Sequence, residues 1–492
     1  MKLNKLLLAL AASGIATSAF ATNGMNVEGY GPIAAAMGGA SMAYDNGSAA
    51  VMNNPATLGL MAKGSQFDVA VGMLGPDVKS TFMGTTNTSG GDAYYMPAVG
   101  YIKNDGNKSY GVAMFAQGGM GTEYPKGGTL DPSMGSLDQR SELGVGRLIF
   151  PLAMNINDKL TIGGSADVVW AMMDLQMALN SNQFFDLMGV PGTGGGIGSG
   201  HTFGTASGSM LTTFTGLSGT VLNNGTGTGA GAGTGPLNWG YFNFSDTNDY
   251  TGKAKATGLA GKIGFTYKAS PQLTIGSTYH SKTSLSDMEG DAILAFNVNA
   301  DLGYFSQTPA PTGTYTATTM PVSGKIKVVD FQWPETFGLG MAFQVNDRLM
   351  VAVDYKRINW ADVMKNFKMT FTADNVAGNG AFSGTVMDAT LYQNWDDQNV
   401  FQVGGAYKAT DALTVRAGAS FSKNPIPDAY MNPLFPAIEK NHYTMGVGYA
   451  IDKASDLNFS LQHAPNVTQT TGSGVSVDHS QTSWQLMYSK RF

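Results

Sequence analysis

From about Ser65 onward the chain alternates large apolar residues with small or polar ones. Tyr443, Met445, Val447, Tyr449 and Ile451 share one face, while Thr444, Gly446, Gly448 and Ala450 share the other. Leu413, Val415, Ala417, Ala419 and Phe421 oppose Thr414, Arg416, Gly418 and Ser420, and Leu457, Phe459 and Leu461 oppose Asn458, Ser460 and Gln462. Period-two alternation of this kind marks β-strands with one apolar face. The segments run to about 9–11 residues or more, enough for a tilted strand to cross a bilayer. Fourteen such segments are predicted, near 66–76, 93–103, 108–118, 140–156, 158–172, 254–269, 271–284, 334–345, 347–370, 398–409, 411–423, 440–452, 455–465 and 482–492. A soluble sandwich would also alternate, but its inner face must fill a core. Here that face is rich in Gly, Ser and Thr, which suits a barrel lumen. The fold predicted is all-β, a 14-stranded antiparallel transmembrane barrel spanning 63–492.

The connections divide into short polar turns, such as Asn155 to Asp158 and Ala269 to Pro271, and long loops at about 173–253 and 285–333. Short turns on one side and long loops on the other are expected of the inner and outer faces of such a barrel. Residues 22–62 behave differently. They are Gly- and Ala-rich, almost uncharged and without alternation, and are predicted to form a hatch inside the lumen.

Composition narrows the class. Of 492 residues only 13% are charged and none is cysteine, whereas soluble domains carry about 25% charge. Disulfides and thiolate sites are excluded. No basic run points to nucleic acid. Lys2, Lys5, the apolar stretch Leu6–Ala12 and Ala19-Phe20-Ala21 form the pattern of a cleaved secretory signal over 1–21. On these features the protein is expected in a Gram-negative outer membrane, folded there by the barrel-assembly machinery and surrounded by outer-membrane lipid; a monomer is expected, though no sequence feature decides the oligomeric state.

Chemistry is sparse. The five histidines follow no metal-ligand spacing, and no Gly-x-Ser-x-Gly elbow occurs. No enzyme, metal or cofactor is expected. The Gly/Thr/Ser-rich insert 189–240 reads as a surface loop. Beside it, Phe184, Phe185, Leu187 and Met188, with Phe296, Tyr304 and Phe305 in the second long loop, are candidates for an apolar capture surface, or else they hold their own loops together.

Several segments carry a family likeness. Gly38-Gly39-Ala40, Asn54-Pro55-Ala56, the run Phe115 to Tyr124 with Gly118, Gly119 and Gly121, Trp333 to Phe337, and Asn424 to Asp428 occur in order. In these the mature chain resembles the FadL-type outer-membrane transporters of long-chain fatty acids and other hydrophobic compounds. The resemblance implies a hatch with its motif at Asn54, Pro55 and Ala56. It also implies a kinked third strand at Gly118–Gly121 beside which a lipophile, captured on outer loops and held in the lumen, leaves sideways into lipid. Inward parity nominates Leu74 and Phe115 as lumenal contacts. Arg147, Lys262, Lys356, Lys368 and Arg416 are the cations available to a carboxylate head group, if they are not paired with lumenal carboxylates such as Asp68, Asp167 or Asp354. The competing readings are a channel for neutral or aromatic hydrocarbons, a general porin, an adhesive surface protein and a barrel lipase.

Overall fold

A computed structural model describes residues 23–189, 201–218, 222, 228–229, 236–248, 251–301 and 314–492. The signal segment, much of the insert 189–240, and Tyr304 and Phe305 lie outside the described residues. The chain before Gly64 folds into one short helix, α1 (Pro32–Ala35), and two 3-10 turns at Gly47–Val51 and Pro55–Leu60. Strands β1 (Gly64–Leu74), β2 (Pro76–Phe82), β3 (Thr85–Thr88), β4 (Tyr94–Asn104), β5 (Lys108–Tyr124), β6 (Gln139–Asn155) and β7 (Leu160–Asn180) follow. The first long insertion carries α2 (Ser181–Leu187), β8 (Gly204–Ser207), α3 (Ser209–Leu217), β9 (Thr228–Gly229) and β10 (Leu237–Phe244). Then come β11 (Ala254–Lys268), β12 (Leu273–His280), β13 (Ser284–Leu285), β14 (Met288–Ala300), β15 (Thr314–Val329), β16 (Thr336–Asn346), β17 (Leu349–Ile358) and β18 (Asn366–Ala373). The chain ends with β19 (Val386–Tyr392), β20 (Gln398–Lys408), β21 (Leu413–Phe421), β22 (Asn441–Ala450), β23 (Ser455–Thr470) and β24 (Ser476–Arg491).

Antiparallel pairing runs β1–β4–β5–β6–β7–β11–β12 and on through β16–β17–β20–β21–β22–β23–β24. It closes from β24 back to β1. A closed ring satisfies every backbone group without presenting an edge to lipid. The other strands extend the sheet on the side of the long connections: β2 on β24, β10 on β7, and β14, β15, β18, β19 and β8 in succession. The expectation of a fourteen-stranded antiparallel fold is therefore overturned. The sheet contains 24 strands, and one pairing, β9 with β15, is parallel. Each expected segment overlaps a strand of the ring, but 347–370 runs β17 into β18 across the turn at Trp360–Asp362. Most of the overlooked strands are either very short or, like β10 and β14, largely buried on both faces, so no alternation marks them.

The outward face is apolar. On β22, Tyr443, Met445, Val447 and Tyr449 are exposed while His442, Thr444, Gly446 and Gly448 are buried. Phe67, Val69, Phe150, Leu152, Leu259, Ile263 and Phe265 continue the band on β1, β6 and β11. In water this would be an oversized patch; in a bilayer it is the solvated surface. Among the described residues no helix is long and apolar enough to cross a membrane.

Residues 23–62 touch strands all round the ring and so lie within it. The Gly38 amide donates to Thr444 Oγ1 (2.9 Å) on β22, and Ser41 and Met42 amides donate to Asp354 Oδ2 (2.6 and 3.0 Å) on β17. The Ser48 amide donates to Asp68 Oδ2 (2.9 Å) on β1, and Ser109 Oγ on β5 donates to Leu58 O (2.9 Å). The small inward residues of the wall have a use beyond lining a lumen. A Cβ at Gly276, Gly404 or Gly163 would overlap backbone of Met42, Met37 or Ala56, respectively. Only glycine lets two backbones approach that closely.

Candidate functional site: a slot in the wall and an apolar cavity

Asn54 caps the second 3-10 turn. Its Oδ1 accepts from the Ala56 amide (3.1 Å), and its Nδ2 donates to Met42 O (2.8 Å) and to Phe265 O on β11 (3.1 Å). Pro55 follows at the first helical position, where its missing N–H costs nothing. One side chain thus ties two hatch segments to the wall. Asn53 does similar work for the N-terminal segment, donating to Tyr30 O (2.9 Å).

The ring is interrupted at one seam. β4 pairs with β1 along its whole length to Tyr94, but with β5 only from Asn104 to Val99, opposite Ser109 to Met114. Beyond that point Tyr94–Ala98 and Phe115–Thr122 are not paired with each other, leaving a lateral slot. Pro97 sits on its β4 rim and brings no N–H donor. On the β5 side a bulge lies between Ala116 and Gly118, which face Gly146 and Val145 of β6, so Gln117 is the extra residue. The far end of the slot is closed by the Gly90 amide donating to Glu123 O (2.7 Å) and the Glu123 amide donating to Ser89 Oγ (2.9 Å).

The N-terminal segment occupies the freed edge of β5. Asn26 bridges Gly118, and the Gly119 amide donates to Met25 O (3.2 Å). Tyr30 Oη donates to Gln117 O (2.7 Å), and Trp333 Nε1 to Asn26 Oδ1 (2.6 Å). Side chains at Gly118, Gly119 and Gly121 would strike Met25 O, Leu143 O and the Tyr94 hydroxyl, respectively. The glycines therefore admit both the N-terminal segment and Tyr94.

Two cavities meet at Met25. One is lined by Met25, Leu143, Met173, Leu175, Met177, Phe331, Met364, Phe367, Leu391, Gln393, Trp395, Asn432 and Phe435, none of them charged. The other reaches the slot and is lined by residues including Met25, Glu28, Leu74, Tyr94, Gly119, Gly121, Glu439 and His479.

A family model described as outer membrane protein transport protein (OMPP1/FadL/TodX) matches residues 8–485. The chain belongs to that family. It is a family of outer-membrane transport proteins, not of enzymes. Among solved structures, the chain is similar to the toluene transporter TodX of Pseudomonas putida (30% identity, 94% of this chain and 99% of that chain, TM-score 0.76) and to the toluene transporter TbuX of Ralstonia pickettii (30%, 94% and 99%, TM-score 0.72). An uncharacterized protein of Chlorobium limicola is 47% identical over 105 residues, 21% of this chain and 51% of that protein. The chain spans about half the length, or less, of the curated relatives it matches.

In this FadL-type protein the sequence-nominated residues separate. Leu74 lines the cavity at the slot, whereas Phe115 belongs to a buried apolar cluster that includes Ala49, Ala50 and Val51 of the hatch. Arg147 and Lys262 both pair with Asp167 in a buried triad (Arg147 at 2.8 Å), and Arg147 Nε also donates to Gln117 Oε1. Lys356 donates to Glu28 O (3.2 Å) and Gly39 O (3.3 Å), and Arg416 to Asn458 Oδ1 (3.1 Å). Lys368 is exposed on β18, outside the ring. Its inward parity was carried from β17 through a turn that resets it. Phe184, Phe185, Leu187 and Phe296 are buried, with Phe184, Phe214, Phe296 and Phe382 in ring contact, and Met188 is half-buried. As placed, they form a packed interior under the long connections and do not offer an open landing surface. Sequence reasoning passed over Met25, Asn26, Tyr94 and Gln117. The one local signal was a proline, Pro97, inside an otherwise regular strand.

Proposed function

We propose that the protein admits neutral hydrophobic compounds through the outer membrane, holding them in the apolar cavity and releasing them sideways through the β4–β5 slot. The observation that carries this reading is the seam itself: both strands continue past Val99 and Met114, yet their pairing stops. A lipophile leaving there passes from protein to lipid without crossing water, and each CH₂ kept out of water is worth about 0.8 kcal/mol. Met25 lines both cavities, so displacement of the segment 23–27 joins them. A neutral substrate is favoured over a fatty-acid carboxylate, because the cavity lining carries no cation and Arg147 and Lys262 already share Asp167. The toluene transporters among the similar structures point the same way.

Deletion of Gln117 tests the exit. Without the extra residue β5 can pair regularly, and uptake of labelled toluene by cells with intact outer membranes should fall to the level of cells lacking the protein. The variant must still show the heat-dependent gel mobility of a folded barrel. Undiminished uptake by the folded variant would reject lateral release.

A further inference from the structure

The cavity without charged residues is apolar except at three side chains, Gln393, Trp395 and Asn432, each of which carries an N–H donor. Three tryptophans meet edge to face in series: Trp333 against Trp360 with centroids 5.6 Å apart, and Trp360 against Trp395 at 5.3 Å. Their N–H groups fare differently. Trp333 donates to Asn26 Oδ1 (2.6 Å) and Trp360 to Gln398 Oε1 (3.0 Å). Trp395 is buried, lines the cavity, and its Nε1 has no acceptor among the described residues.

Gln393 lines the same cavity. It is held there by its backbone amide, which donates to Lys365 O (3.0 Å), as the Trp395 amide does to Met364 O (3.1 Å). Asn432, in the connection between β21 and β22, has Oδ1 engaged by the Leu434 amide (3.0 Å). Its Nδ2 meets only the Met177 sulfur at 3.9 Å, a weak acceptor. What remains unmet on Trp395 and Asn432 is donor capacity alone.

Buried donors are ordinarily satisfied, and one left unmet in apolar surroundings is costly. We infer that the cavity is built for a neutral lipophile bearing a hydrogen-bond-accepting oxygen, such as an aromatic ketone, ester or ether. The inference rests on the uptake reading above and names its substrate class. Methionine and aromatic walls cover the body of such a molecule, and its oxygen meets the donors. A plain hydrocarbon leaves them unmet. A carboxylate would meet them but bury a charge without a counter-ion.

The test is titration of the detergent-solubilised full chain with acetophenone and with ethylbenzene, molecules of nearly equal shape. Each dissociation constant is corrected for detergent partition. Acetophenone should bind roughly tenfold more tightly, the equivalent of about 1.4 kcal/mol. Trp395→Phe and Gln393→Leu, made separately, should each bring the ratio of the two dissociation constants toward one, whatever either does to ethylbenzene affinity itself. Equal affinities, or a preference untouched by both variants, would overturn the inference while leaving hydrocarbon uptake standing. If neither compound bound, the inference and the uptake reading would fall together.

Discussion

Gly276 has no room for a methyl group: a Cβ there would overlap Met42 O. Gly276→Ala should force hatch and wall apart, at the roughly 1–3 kcal/mol typical of overpacking. Urea unfolding in lipid vesicles, followed by tryptophan fluorescence, would read the loss; an unchanged midpoint would mean the hatch yields more easily than its contacts imply. Asp167 is the opposite case, a residue that must not lose its charge. It sits buried between Arg147 and Lys262, so Asp167→Asn strands two cations on one neutral partner. Breaking a buried pair in this way costs about 3–5 kcal/mol, and the same unfolding measurement should show a larger shift than Gly276→Ala. A smaller shift would indicate that the triad is reached by water. Parity alone put both cations in the lumen, but it could not show that one aspartate holds them both, because that pairing spans β6, β7 and β11.

At the scale of the element, the third wall strand carries the functional asymmetry. Its glycines were visible in the sequence, yet the residue that makes the bulge is Gln117, whose polar side chain gives no local sign of an extra position. Register is a property of two strands together, so reading one strand cannot find it. The alternation of β22 and β21 was legible because one face meets lipid and the other meets the hatch. β10 and β14 were not, since burial on both faces removes the period. The turn at Trp360–Asp362 escaped for a related reason: apolar residues continue across it, and Lys368 was assigned to the wrong side in consequence. The slot depends on what β4 fails to pair with, which Pro97 hints at without fixing its extent. The segments Asn54–Ala56 and Gly118–Gly121 stand out in the sequence, while the N-terminal segment that pairs with the freed edge of β5 does not.

For the whole molecule, the hatch decides between a channel for lipophiles and a water-filled pore. The ring is filled by residues 23–62, bound at Thr444, Asp354, Asp68 and Ser109. In planar bilayers the intact protein should be almost silent, and a variant lacking 23–62 should pass large steady currents. Large currents from the intact chain would favour a general porin instead. The closing seam has a further consequence, for the order of assembly. Gln66 pairs with Arg491, and Ser65 and Phe492 exchange backbone hydrogen bonds (3.1 and 2.8 Å), so the contact that closes the ring joins residues more than 400 positions apart. Contacts of such sequence separation are slow to form. The hatch precedes β1, and its carbonyls rest on glycines of strands from β7 to β21. Closing β24 on β1 therefore encloses the hatch, and the cylinder is wound around a mandrel that its own chain supplies.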